Sequence, residues 1–320
     1  MTLASYIAKR MLWMILTIFA ITIVTFTIVQ LAPGDPVMIR YGLRPGVDFG
    51  IENIEKVRHD LGLDQPIHVQ YFFWLSRLLR GDFGRSLIFR EDVSAIIARA
   101  LVNTLKMQIP ALLLAIAIAI PAGVISAAKQ YSKIDYAAMG TSLLLWSLPW
   151  FWYGLMAIYV FSIILGWFPT GGISSPGTST LIDQLHHLIL PVVVLGTAST
   201  GFITRLVRSS MLEVLRQDYI TVARSKGLRE RVVIYKHALK NALLPTITVI
   251  GLYVGFLVGG AAIIETVFSW PGTGMIMVDA ANLQDYPVIM GVTLIMSISV
   301  LFSVLLTDIL YAYLDPRIRY

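Results

Sequence analysis

The chain has 320 residues, 57% of them hydrophobic and 14% charged, against about 25% charge in an ordinary soluble domain. With a mean hydropathy of +0.74 most of it is solvated by lipid, so counting soluble domains by length does not apply. The net charge of +6 falls in loops between apolar runs, which points to membrane orientation and not to nucleic acid, and the lack of cysteine excludes disulfides, thiolate metal sites and cysteine nucleophiles.

Lys9 and Arg10 precede an apolar run from Met11 to Leu31. At about 1.5 Å per residue this run crosses the hydrocarbon core. A signal peptide has an apolar stretch of roughly 7–15 residues and a small-residue cleavage site. Here the run is longer and Ala32-Pro33 is a poor cleavage site, so residues 1–31 are expected to hold the N-terminus and an uncleaved first span. Ala32-Pro33-Gly34-Asp35-Pro36 then makes a rigid turn, since both prolines fix φ and Gly34 permits a tight bend.

Residues 32–100 form an insertion that is too long for a plain connection and too apolar for simple disorder. The spacing predicts helices over Ile51–Leu61 and Val69–Leu79, with turns at Leu61–Pro66 and Gly81–Ser86. A small helical cap on one membrane face is expected.

The second span is expected over Leu101–Ala127, with Asn103, Thr104 and Gln108 entering early and Pro110 and Pro121 interrupting it. Lys129 and Lys133 occupy the next short loop. The third span is read over Tyr136–Leu165, which puts Pro149 about 20 Å deep among Trp146, Trp150, Phe151 and Trp152. Aromatic belts belong at interfaces, so mid-depth aromatics serve helix packing or line a pathway. Gly166–Gln184 is a loop without Lys or Arg, and the fourth span follows over His186–Val207. A basic loop covers 208–241, the fifth span Ala242–Ile264, a second loop without Lys or Arg carries Phe268–Gly272, and the sixth span covers Pro287–Tyr311. The tail, 315–320, contains Arg317 and Arg319.

Six spans put both termini on one side. Lys9, Arg10, Lys129, Lys133, the basic loop, Arg317 and Arg319 all fall on that side, which the positive-inside rule makes cytoplasmic. The arginines of the long insertion do not count against this, because loops of that length translocate largely regardless of charge.

Within the basic loop, Asp218 can cap a short helix that Gly227 stops, and a second short helix is expected over Glu230–Leu239. Ile220, Ala223 and Gly227 fall at helical spacing on one face of modest side chains. A helix, glycine bend and helix in a basic loop suggests a docking element for a soluble partner, against the plainer reading of a solvated cationic loop. The order Asp218-Tyr219-Ile220, Ala223-Arg224, Lys226-Gly227-Leu228, His237-Ala238-Leu239, Asn241–Pro245 resembles the cytoplasmic coupling loop of ABC-importer permeases in their peptide and nickel branch. Thr221-Val222-Ala223 stands where the general pattern has Glu-Ala-Ala, Gly227 matches, and the proline comes late, at Pro245. The turn at Ala32–Pro36, the turns of the insertion with Gln70-Tyr71 and Trp74-Leu75, the Glu265–Gly272 stretch and the Asp315–Arg319 tail resemble the same branch, in the same order.

The resemblance implies an all-α membrane protein with the type I ABC importer permease fold. Its parts are a first helix with the cytoplasmic N-terminus (1–31), an extracytoplasmic helical insertion (32–100), a core of five helices (101–314) and a cytoplasmic tail (315–320). It implies the first permease of a heterodimeric pair in a bacterial or archaeal cytoplasmic membrane, importing di- or oligopeptides, or else nickel chelates or oligosaccharides. The implied partners are a second homologous permease, one or two ABC ATPase subunits, an extracytoplasmic solute-binding protein and membrane lipid. Tyr219, Ala223, Arg224, Gly227 and Leu228 are the expected ATPase-docking residues. The insertion is expected to pack on the membrane mouth and to meet the binding protein.

No cofactor or enzymatic role is expected, because no Gly-x-x-x-x-Gly-Lys-Ser/Thr phosphate loop occurs. His186 and His187 are adjacent, so on a helix they point about 100° apart and do not converge on a metal. Counted along a straight fifth span, Glu265 reaches the watery outer interface in a capping or ion-pairing role, and Asp308 lies near the cytoplasmic end within reach of an arginine. The rival classes are a proton-coupled carrier, which would need a mid-membrane carboxylate, and a scaffold that transports nothing.

Overall fold

The computed structural model describes residues 3–31, 64–178 and 180–314. The Ala32–Pro36 turn, the Ile51–Leu61 helix, the start of the Leu61–Pro66 turn and the 315–320 tail lie outside them. Among the described residues the chain is helical, with one isolated bridge between Arg85 and Asp92.

Helix α1 spans Leu3–Leu31. Helix α2, Ile67–Leu79, lies against it: the Tyr71 hydroxyl meets Thr22 Oγ1 at 2.9 Å, and the Tyr71 and Trp74 rings sit 5.4 and 5.7 Å from Phe26. The following turn closes on Asp82, which accepts from Arg77 Nε and Gly84 N, both at 2.8 Å. These two bonds hold the Asp82 carboxyl below its usual range, the guanidinium contributing most. The buried Asp285 then ties this region to the last span, accepting from Ser86 Oγ and, at 3.1 Å, from Leu87 N.

Helix α3, Val93–Ala128, starts eight residues before the expected second span. Pro110 and Pro121 lie inside it without interrupting it, contrary to expectation. Each proline forfeits one backbone bond. The helix is held along its length by α6, Leu181–Leu215, which runs parallel to it. Gly196 lies against Ala111 and Leu114, and Gly123 against Thr204 and Val207, so the two backbones approach closely at both levels.

The expected third span is two helices, α4 (Lys133–Ser147) and α5 (Trp150–Ala157, continuing as wider π-helical turns over Ile158–Ile164), bent by 100°. Pro149 stands in the break, with Leu148 before it in extended conformation, the geometry a pre-proline residue favours. Depth counted along a straight helix therefore does not hold for residues after Leu148.

After α6 come α7 (Asp218–Ser225) and α8 (Glu230–Ala242, with a π-helical middle), then α9 (Leu244–Phe256, ending in a 3₁₀ turn to Gly259). The fifth span also ends earlier than expected: Gly260, at φ +76°, turns the chain into α10, Ala262–Val267. Helix α11, Thr273–Asn282, fills part of the expected loop, and α12, Tyr286–Leu314, completes the chain.

Helices α1, α3, α6 and α12 are each long and apolar enough to cross a membrane. The bent pairs α4–α5 and α8–α9, the latter at 52°, bring the spans to six if each crosses once. Asp308 pairs with Arg10 at 2.9 Å, an arginine within its reach as expected, joining the end of α12 to the start of α1.

Candidate functional site

Helix α7 opens at Gln217, not Asp218: Gln217 is the extended residue before the helix, and Asp218 is its first residue, where its charge still favours the exposed N–H groups. Gly227 ends it at φ +74° with open space where a Cβ would stand, as the sequence predicted for a helix stop. Across this bend Arg224 holds Glu230 through two bonds, Nη2–Oε1 at 2.7 Å and Nε–Oε2 at 3.1 Å. The Glu230 carboxylate keeps the Arg224 guanidinium above its ordinary value, so the clip between α7 and α8 stays charged.

The two faces of α7 differ. Ile220 is fully buried and Ala223 is 8% exposed, both in one apolar cluster with Val124 and Ala127 of α3, Val207 and Met211 of α6, and Val233 and Ala238 of α8. This inward position corrects the reading of Ala223 as an outward docking residue: its methyl is spent on seating α7 against the ends of the spans. The exposed face carries Tyr219 (43%), Val222 (52%) and Leu228 (39%), and α8 adds Val232 and Tyr235. Arg224, Lys226, Arg229 and Arg231 surround them, all exposed. The Tyr219 hydroxyl accepts from Asn241 Nδ2 at 2.8 Å, which fixes the ring against α8.

The result is a rigid hairpin with a few apolar side chains in a basic rim, clamped by the ion pair and a glycine bend. Isolated exposed apolar residues need no explanation, but a fixed cluster ringed by one charge has the make-up of a protein-docking surface. Of the predicted residues, Tyr219, Arg224, Gly227 and Leu228 lie outward together. Val222, Val232 and Tyr235 share this exposed face and were not singled out from the sequence; their signal was the i, i+3 repeat of Tyr219 and Val222, and of Val232 and Tyr235.

The other singled-out residues take structural positions. His186 Nε2 lies 2.7 Å from the Trp167 carbonyl, and His187 Nδ1 lies 2.9 Å from the Asp183 carbonyl. Glu265 is fully buried and not at a watery interface, because the break at Gly260 folds α10 back under α11. It accepts from Thr104 Oγ1 (2.9 Å), Met275 N (2.9 Å) and Ala261 N (3.3 Å), so it does cap backbone donors.

Two family models match the chain. "Binding-protein-dependent transport system inner membrane component" covers residues 119–320, and the N-terminal membrane component of the same transport systems covers residues 3–108. The oligopeptide transport system permease protein AppB of Bacillus subtilis is 45% identical over 99% of this chain and 100% of its own length. The di/tripeptide permease DppB of Pseudomonas aeruginosa is 40% identical, and the glutathione permease GsiC of Salmonella typhimurium 38%, each over 99% of both chains. An inward-facing MetNI methionine ABC transporter structure matches the fold at a TM-score of 0.54 and 18% identity, over 69% of this chain and 97% of that one.

Proposed function

Because the chain belongs to the family of inner membrane components of binding-protein-dependent transport systems, we propose that it is a permease subunit of an ATP-driven importer of di- or oligopeptides. The observation that carries the substrate class is end-to-end similarity, at 40–45% identity, to relatives named for oligopeptide and di/tripeptide transport. In this reading a second permease completes the pathway, ABC ATPases bind below, and a solute-binding protein delivers the peptide outside. The chain lies in a bacterial or archaeal cytoplasmic membrane with both termini and the α7–α8 hairpin in the cytoplasm.

The hairpin is the proposed ATPase-docking element, with Tyr219, Arg224, Gly227 and Leu228 as its outward residues and Ala223 as its internal seat. Its construction suits the transmission of motion. Ile220 and Ala223 are packed into the same apolar cluster as the ends of α3 and α6, so a push on α7 moves those spans as a body. Hydrolysis is assigned to the partner chains, because this sequence has no phosphate loop.

The test is co-purification and uptake with the cognate subunits in liposomes. Tyr219→Ala combined with Leu228→Ala should leave membrane abundance unchanged. It should reduce the ATPase recovered with the permease by roughly tenfold or more, the usual cost of losing docking anchors. Tyr219→Phe, which loses only the bond to Asn241, should retain most of the ATPase. Undiminished recovery and uptake in the double variant would remove the hairpin from the docking surface.

A further inference from the structure

A cavity of about 360 Å³ opens where the ends of α3 and α6 meet the α7–α8 hairpin. At roughly 30 Å³ per water it has room for about a dozen, far more than a single ion needs. Leu212, Leu215 and Ile234 give it an apolar wall, with the exposed Ala128 beside them. Its charged lining is Lys129, Arg216 and the Arg224–Glu230 pair.

The charges around this cavity do not balance. Arg224 takes up Glu230 through two bonds, so that pair is neutral. Lys129 and Arg216 remain, and among the described residues neither has a carboxylate within ion-pair distance. Asp135, six residues on from Lys129, is already spent: it accepts from Arg208 at 2.6 and 2.7 Å, and from Ser126 Oγ and Tyr131 N. Both cations have a plainer duty, since each directly follows the last residue of a helix and stands beside its terminal carbonyls. Those carbonyls amount to about half a negative charge per helix. Two cations against two half-charges leave about one positive charge, the complement of a monoanion.

The sequence of α3 sets the level of the cavity in the membrane. Met107 to Ala128 is a run of 22 residues without Asp, Glu, Lys or Arg. Its length, about 33 Å, matches a hydrocarbon core of about 30 Å. Lys129 is the first charge beyond that run, so the cavity falls at headgroup level. Tyr131 is exposed two residues further on, at the level where tyrosines collect. Ile118, Ile125 and Lys129 follow one another along one face of α3, at steps of seven and four residues, and all three are exposed. An acyl chain laid along the two isoleucines brings its headgroup to Lys129 and the cavity.

We propose that this cavity binds the headgroup of an anionic phospholipid of the phosphatidylglycerol type, with the phosphodiester between Lys129 and Arg216. A phosphodiester carries the single negative charge that the lining calls for, and lysine and arginine both suit phosphate oxygens. Basic pockets between spans on the cytoplasmic side are a recurrent way of holding such headgroups. The ammonium of phosphatidylethanolamine would add a cation where cations are already in excess, so the zwitterionic lipid fits less well. The site does not depend on what the importer carries, and it sets a membrane lipid against the hairpin proposed to dock the ATPase.

The test is native mass spectrometry of the delipidated complex of both permeases and the ATPases, titrated with phosphatidylglycerol, phosphatidylethanolamine and glycerol 3-phosphate. The first equivalent of phosphatidylglycerol should bind about tenfold more tightly than phosphatidylethanolamine, the scale of one charge-assisted contact. Lys129→Gln combined with Arg216→Gln should weaken it by about tenfold or more. Lys133→Gln combined with Lys240→Gln removes two exposed charges that do not line the cavity, and should leave binding unchanged. Ala128→Phe keeps both cations but fills the cavity, so it should also weaken the lipid, and it decides the matter if the first double variant does not assemble. The proposal is overturned if the two lipids bind alike, if both double variants lose the lipid equally, or if Ala128→Phe binds it as wild type does. Glycerol 3-phosphate displacing the lipid at similar concentration would overturn it too, assigning the cavity to a soluble phosphate ester. So would loss of the ATPase from the Lys129, Arg216 variant with its lipid retained, which would assign both cations to an acidic side chain of that partner.

Discussion

Glu265 shows how much one buried carboxylate can organise. Three glycines surround it: a Cβ on Gly260, Gly272 or Gly274 would stand 2.5 to 2.9 Å from its carboxyl atoms. Thr104 donates to it while accepting from Thr273 N at 2.7 Å, and Thr273 passes its own proton to the Val258 carbonyl. One side chain thus joins α3, the end of α9, α10 and α11. Glu265→Ala would strand the amides of Ala261 and Met275 and the Thr104 hydroxyl, at about 1–3 kcal/mol for each buried group left unpaired. Glu265→Gln keeps one carbonyl oxygen but turns an amide donor toward Met275 N or Thr104, so it should cost less. Thermal unfolding of the purified complex should rank wild type above Glu265→Gln above Glu265→Ala. Equal melting of Glu265→Ala and wild type would show that water replaces the carboxylate at no cost. The sequence marked Glu265 as unusual but misplaced it, because the fold-back at Gly260 is a matter of backbone conformation that hydropathy does not carry.

At the scale of elements, the long apolar runs were legible and their breaks were not. Four spans stand within several residues of where apolar length places them, because a bilayer leaves a backbone few options other than helix. Four prolines well inside the predicted spans give the same local signal, yet the helices run through Pro110, Pro121 and Pro191 and the chain breaks at Pro149. The difference is tertiary: α3 is clasped along α6 through Gly123 and Gly196, whereas the chain at Leu148 has left the glycine contact that holds α4. That contact is Gly201, whose absent Cβ makes room for the Ser142 carbonyl. Gly201→Ala should force α4 and α6 apart at about 1–3 kcal/mol and lower the melting temperature. Gly140→Ala in the same helix pair meets open space, and should be neutral or stabilise by about 0.5–1 kcal/mol through helix propensity. If both variants melt alike, the close approach of α4 and α6 is not what holds that joint. The α7–α8 hairpin was legible as helix, bend and helix, but which face looks out was not. Ile220 and Ala223 repeat as well as Tyr219 and Val222 do, and only the packing of α3 and α6 decides between the two stripes.

For the whole molecule, ion pairs gather the basic residues at one end of the helical bundle. Arg10–Asp308 brings the start of α1 to the end of α12, and Asp135–Arg208 brings the start of α4 toward the end of α6. Lys129, Lys133, Arg216 and the hairpin lie at that same end. At the other end, Ser86 meets Asp285 at the entry to α12, and the described part of the loop between α5 and α6 has neither Lys nor Arg. By the positive-inside rule the first end is the proposed cytoplasmic one. The absence of native cysteine lets single thiols report on this. Two obvious serines are poor sites, since Ser175 binds Asp183 through both N and Oγ, and Ser132 caps α4 by accepting from Asp135 N. Ser174 and Lys133 are exposed neighbours without those duties. Ser174→Cys should react with a membrane-impermeant maleimide on intact cells, stripped of any outer membrane, and Lys133→Cys only after the membrane is opened. The reverse pattern would invert the molecule and place the α7–α8 hairpin outside, where no ATPase could reach it.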